Sequence, residues 1–97
     1  MNDDSTIYFV PAKSRNDLKV GSLYRHDPRD KDVLCIYESM KDYDNYFLGC
    51  GAKPGTVFMI ISFSNKQAIK LLTSDGYLGY AALYYQDIEI AVNNQWN

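Results

Sequence analysis

Residues 73–90 read TSDGYLGYAALYYQDIEI, and this stretch decides the fold. Ser74-Asp75-Gly76 has the chemistry of a hairpin loop, with glycine where the backbone must take a positive φ. The run before it, AIKLLT (Ala68–Thr73), and the run after it, YLGYAA, become two antiparallel strands. LYYQ (Leu83–Gln86) is too short for a strand and predicts a single helical turn, after which DIEIAV (Asp87–Val92) forms a last strand. Gly79 inside a strand marks a bulge or a close approach of another backbone. Tyr77, Gly79 and Ala81 share one face of their strand, and Leu78, Tyr80 and Ala82 the other. Leu78 directs its own face inward, which predicts a buried Tyr80. Tyr84 and Tyr85 are neighbours and must point apart, so at least one is exposed.

Outward from this stretch the hydrophobic period stays near two rather than 3.6. TVFMIISF (Thr56–Phe63) is the most apolar run and predicts a central strand, followed by a short turn at SNKQ. IYFV (Ile7–Val10), LYRH (Leu23–His26) and VLCIYES (Val33–Ser39) predict further strands. Pro11 and Asp27-Pro28 end the first two, and Asn16-Asp17 caps one helical turn between them. KDYDNYFLGCGAKPG reads as a long loop in which YFL pairs briefly. The expectation is one all-β domain over residues 1–97, with tails at 1–6 and 93–97. Its five to seven short antiparallel strands form a small barrel or an orthogonal two-sheet sandwich, because closure removes exposed edges.

The order of strand, long acidic loop, apolar strand, strand, Asp-Gly turn, strand, single turn and strand resembles the Src-homology-3-like small barrel. In bacterial and phage members the last hairpin often reads D-G-x-x-G-[WY], then a short turn and a strand carrying an acid. Here Asp75, Gly76, Gly79 and Tyr80 are followed by Leu83–Gln86 and Asp87-Ile88-Glu89. LKVGSLYRH (Leu18–His26) is similar to the family's first strand with its K-x-G start, and the likeness runs from residue 18 to 92. Peptide-binding eukaryotic members carry a tryptophan pair and a G-x-x-P-x-x-Y ending. This chain has no tryptophan before Trp96 and holds Ala82 in the proline's place, while Tyr85 matches the final tyrosine. The resemblance therefore implies the fold without implying polyproline recognition. A short, tyrosine-rich chain without an enzyme motif is also similar in type to phage accessory proteins.

Composition narrows the function. The 97 residues carry ten basic and twelve acidic side chains, a formal net charge of −2, and no basic run of the kind that holds a nucleic-acid backbone. Nine of the aromatic residues are tyrosines, against four phenylalanines and one tryptophan. Tyrosine pairs an apolar ring with a polar end and suits contact surfaces. MNDDSTIYFV is acidic where a signal peptide is basic, and no segment reaches the ~18 apolar residues that span a membrane. A cytoplasmic protein is expected, host-cytoplasmic if viral, with Cys35 and Cys50 as free thiols. Alternation in its strand places Cys35 among Val33 and Tyr37 as a buried thiol.

No cofactor, metal or catalytic motif is found. GCGAKPGT (Gly49–Thr56) puts lysine ahead of the glycine that a phosphate loop needs before it, and reads as a turn into the central strand. DYDNY fails the calcium-loop pattern at Tyr46, Phe47 and Lys53. Catalysis by a Cys–His pair would rest on the single His26. The candidate site is a surface of acids and tyrosines: Asp42, Tyr43, Asp44 and Tyr46 in the long loop, beside Tyr84 and Tyr85. It suits a partner protein with arginine or lysine, by ion pairing and stacking. The expected role is a non-catalytic protein–protein interaction module. The alternatives are a structural protein that self-associates and a small-molecule or nucleic-acid binder using tyrosine stacking.

Overall fold

The computed structural model describes residues 7–45, 50–64 and 68–93. They form β1 (Ile7–Pro11), β2 (Leu23–His26), β3 (Leu34–Ile36), α1 (Met40–Asp44), β4 (Cys50–Ala52), β5 (Val57–Phe63), β6 (Ala68–Thr73), β7 (Leu78–Ala82) and β8 (Ile88–Asn93). Two 3-10 turns, Arg15–Asp17 and Tyr85–Asp87, interrupt the strands. The chain is all-β, with α1 its one short helix among the described residues. All strand pairs are antiparallel. The six-stranded sheet runs β1-β8-β2-β5-β6-β7, and β3 and β4 form a separate hairpin. Tyr37 and Tyr80 join the two sheets by reciprocal backbone hydrogen bonds of 2.8 and 2.7 Å.

Alternation builds the core, with a break where the β5–β6 register shifts between Ile60 and Ser62 and neighbouring Ala68 and Ile69 are both buried. Tyr24 of β2, Phe58 and Ile60 of β5, Ile69 and Leu71 of β6, and Ala81 of β7 are all buried on one side of the sheet. Ile36 of β3 with Leu83 and Ile88 from the other end close over them. Burying each large side chain contributes about 1.5–3 kcal/mol. The Tyr24 ring stacks on Phe58, with centroids 5.8 Å apart. Its hydroxyl accepts from the Lys19 N–H at 2.6 Å and donates to the Asp17 carbonyl at 2.7 Å. That one buried oxygen pins the segment after the first 3-10 turn onto the sheet. The turn is capped by a reciprocal box, with Ser14 at the N-cap and the Asp17 side chain of the expected Asn16-Asp17 pair reaching back to it. Ser14 Oγ accepts from the Asn16 N–H, and the Asp17 carboxylate accepts from the Ser14 and Lys13 N–H groups.

The β6–β7 hairpin forms where the sequence places it. Gly76 has φ 92°, the Thr73 N–H bonds to the Tyr77 carbonyl at 2.9 Å, and Thr73 Oγ1 accepts from the Tyr77 N–H at 2.9 Å. The facing of β7 is the reverse of expectation. Gly79 and Ala81 are buried, Tyr80 is half-buried, and Leu78 is exposed. The reason is a close approach of backbone. A Cβ on Gly79 would lie 2.5 Å from Ile36 Cγ2 and 2.6 Å from the Tyr37 carbonyl oxygen. β3 crosses directly over this glycine, so the strand must present its small residues inward. Leu78 instead continues an outward row of Leu23, Met59 and Leu72 across four strands.

Other boundaries shift. The strand expected over Val33–Ser39 is ordered as β3 only at Leu34–Ile36, with Tyr37 bridging to β7. Ile36 is its buried residue, so Cys35 faces out and is exposed rather than buried. The long loop contains α1 and then β4, which pairs with β3. The helical turn near the C-terminal end lies at Tyr85–Asp87 rather than Leu83–Gln86. There are eight strands among the described residues, more than the five to seven expected, because β4 forms in the segment read as a loop. Asn93 belongs to β8 and not to a tail. The expected tails 1–6 and 94–97, most of the SNKQ turn, and the YFL pairing lie outside the described residues.

Candidate functional site

A cleft of about 370 Å³ opens where the β2 end, the segment 30–37, α1 and residues 82–88 meet. His26 closes the end of β2 and is buried on its inward face. Its Nε2 lies 3.0 Å from Asp30 Oδ2, and its Nδ1 is buried with no hydrogen-bond partner among the described residues. The matching tautomer donates Nε2–H to Asp30. Asp30 Oδ1 also accepts from the Asp32 N–H at 3.1 Å. The Asp32 backbone N–H, then the His26 side chain, hold the Asp30 carboxyl below the ordinary aspartate range. This carboxylate is ionised at neutral pH and stands on the cleft wall.

The aromatic wall comes from β3 and α1. Ser39 caps α1, its hydroxyl accepting from the Asp42 N–H at 3.1 Å, and the single turn that follows brings Tyr43 back over the end of β3. The Tyr43 and Tyr37 rings meet edge to face, 5.7 Å apart at 88°. This is the favoured T-shaped geometry for two aromatic rings. Tyr84 also lines the cleft and is exposed, immediately before the 3-10 turn that carries Asp87. Leu34, Leu83 and Ile88 supply an apolar floor. The described lining contains Asp30, Asp32 and Asp87 but neither lysine nor arginine. Arg29 and Lys31 flank Asp30 in sequence but are not in the lining, and Arg29 is engaged elsewhere. Its Nε lies 3.1 Å from Asp27 Oδ1, and this pairing holds the Asp27 carboxyl below its ordinary range.

The expected site is thus divided. Tyr43 and Tyr84 both line the cleft. Tyr85 is not in this lining and packs against the core, in a hollow it shares with Arg15, Leu18 and Tyr84. Asp42 and Asp44 lie on α1 but outside the cleft lining, and Tyr46 lies outside the described residues. The acids that do line it are Asp30, Asp32 and Asp87, together with Tyr37 and His26. Asp30 and Asp32 belong to the acid-rich run DPRDKD at residues 27–32, a signal present in the sequence. Nothing local marked Asp87 or Tyr37, which arrive through the Tyr37–Tyr80 bridge and the last 3-10 turn.

Cys35 shares the cleft with His26, but His26 Nε2 is directed to Asp30 and Nδ1 has no partner, so no hydrogen bond joins the two. Among the described residues no three His, Cys, Asp or Glu side chains gather closely enough to hold a metal ion, and no helix is long and apolar enough to cross a membrane. Comparison with protein-family models, with curated proteins and with solved structures finds no match.

Proposed function

We propose that this chain is a non-catalytic interaction module that receives an arginine- or lysine-bearing segment of a partner protein in the cleft lined by Tyr43 and Tyr84. The observation that carries this reading is the described lining itself, with three aspartates, three tyrosines and an apolar floor but neither lysine nor arginine. A guanidinium or ammonium seated there stacks on tyrosine faces while its charge meets Asp30, Asp32 or Asp87. The apolar floor accepts the methylene stem or an adjoining aliphatic side chain. Occupancy of this kind gives transient binding whose electrostatic part weakens with salt.

Kinship with Src-homology-3-like barrels is part of the proposal. The sheet order β8-β2-β5-β6-β7, the 3-10 turn between the last two strands, and a long excursion between β2 and β5 all support it. In this reading β1 is an added edge strand, and the excursion that carries β3, α1 and β4 forms one wall of the cleft. A bacterial or phage setting rests on the resemblance of the last hairpin.

Selection from a random-peptide display library tests the reading. Wild-type protein enriches peptides with at least one arginine or lysine beside an apolar residue. An Asp30→Asn/Asp32→Asn/Asp87→Asn variant, shown to be folded, loses them. Enrichment of acidic or purely apolar peptides, or retention of the same peptides by the variant, overturns it.

A further inference from the structure

The free edge of β1 is a second surface, independent of the cleft. β1 pairs only with β8 among the described strands. Its register with β8 is Tyr8 to Val92, Phe9 to Ala91 and Val10 to Ile90, and the Ala12 N–H bonds to the Ile88 carbonyl at 3.2 Å. In an antiparallel ladder, hydrogen-bonded pairs alternate with non-bonded ones. Tyr8 and Val10 therefore direct their backbone groups toward β8, and Ile7, Phe9 and Pro11 direct theirs away from the sheet. The neighbouring ladder agrees, since the Asp27 N–H bonds to the Asp87 carbonyl and so turns the Glu89 backbone to β2 and the Ile90 backbone to β1.

Pro11 blocks strand addition at the C-terminal end of this edge, and the stretch before it carries no other such device. IYFVP contains no charged residue, its register with β8 is unbroken, and Ile7 and Tyr8 are 53% and 45% exposed. We infer that β1 is a self-pairing edge, and that two copies of this chain join β1 to β1 antiparallel about a two-fold axis at Tyr8. Pro11 disfavours the alternative axis at Phe9. A two-fold axis at Tyr8 sets Ile7 opposite Phe9 of the second copy and satisfies the outward N–H and C=O of both residues. An axis at Phe9 would set Pro11 opposite Ile7, and proline has no N–H for the Ile7 carbonyl. The Tyr8 axis also makes Tyr8 its own cross-strand neighbour at a non-hydrogen-bonded position, where side chains stand closest and aromatic pairs stabilise. A second copy is the occupant because the two-fold uses this same uncharged edge twice and meets no opposing charge.

The test uses the full chain in a Cys35→Ser/Cys50→Ser background. Sedimentation shows a concentration-dependent dimer. Phe9→Pro removes an outward N–H and leaves the β8 ladder untouched, and it weakens dimerisation at least tenfold. Ile7→Lys does the same by placing ammonium groups opposite Phe9. Tyr8→Cys oxidises to a covalent dimer in high yield, while Asp44→Cys on exposed α1 does not. Circular dichroism and the unfolding midpoint show that each variant is folded. A wild type that stays monomeric at several hundred micromolar overturns the inference. So does a dimer that folded Ile7→Lys and Phe9→Pro leave unchanged, since association then uses another surface.

Discussion

Replacing Gly79 by alanine isolates the contact that sets the architecture around the cleft. Alanine in a strand interior ordinarily stabilises relative to glycine by about 0.5–1 kcal/mol. Here the new methyl would sit 2.6 Å from the Tyr37 carbonyl oxygen and 2.5 Å from Ile36 Cγ2. The first neighbour is backbone and the second is a fully buried side chain, so neither yields by a rotamer change alone. Overpacking of this kind costs about 1–3 kcal/mol. If β3 lifts to relieve it, the two Tyr37–Tyr80 hydrogen bonds are lost as well, each contributing about 0.5–1.5 kcal/mol. The balance is a net destabilisation of about 2 kcal/mol, which lowers Tm by about 8–16 °C in a domain of this size. Gly51→Ala is the matched control, because its new methyl would meet only the exposed Val33 side chain, at 3.2 Å. Urea unfolding of both variants and amide exchange at Tyr37 and Tyr80 provide the readout. A Gly79→Ala protein as stable as wild type, with those two amides equally protected, would refute the close approach of β3 to β7.

Three further outcomes follow from the same structure. Tyr24→Phe leaves the Lys19 N–H and Asp17 carbonyl without their shared buried partner, and destabilises by about 1–3 kcal/mol in urea unfolding. Ile60→Ala, at a fully buried position on the central strand, costs about 2–5 kcal/mol in the same assay. The Asp17, Asp27 and Asp30 carboxyls are each held below the ordinary aspartate value, respectively by the Lys13 N–H, the Arg29 side chain and the Asp32 N–H first of all. The unfolded chain therefore binds protons at these sites more readily than the native one. Their stabilisation is fully present above about pH 4 and is lost as the pH falls through the lowered native values. Unfolding midpoints measured from pH 5 to pH 2 show this decline, and Asp17→Asn makes it shallower.

The local chemistry of the chain made its hairpin, its central strand and its all-β class legible. Gly76 after Ser74-Asp75, and the alternation through Phe58 and Ile60, depend on near neighbours alone, and the folded chain keeps both. The facing of β7 was not legible. Leu78 outweighs Gly79 and Ala81 as a hydrophobic signal, but the choice is made by β3 crossing from far away in sequence. The burial of Cys35 failed for the same reason, since Ile36 is the side chain that fits over Gly79 and alternation then turns Cys35 outward. Two of the three tyrosines of the acid–tyrosine surface, Tyr43 and Tyr84, were visible in the sequence. Its charge comes from Asp30, Asp32 and Asp87, which only the fold brings beside those rings. Asp42 and Asp44 look equivalent in sequence, yet a single turn of helix directs them elsewhere.

An amide-resolved NMR titration with a hexa-arginine peptide at 150 mM salt, set against hexa-glutamate, tests the central claim most directly. Saturable shifts confined to the amides of Asp30, Asp32, Tyr37, Tyr43, Tyr84 and Asp87 are expected with hexa-arginine, and none with hexa-glutamate. Shifts scattered over all the surface acids, a linear response without saturation, or a silent cleft would contradict it.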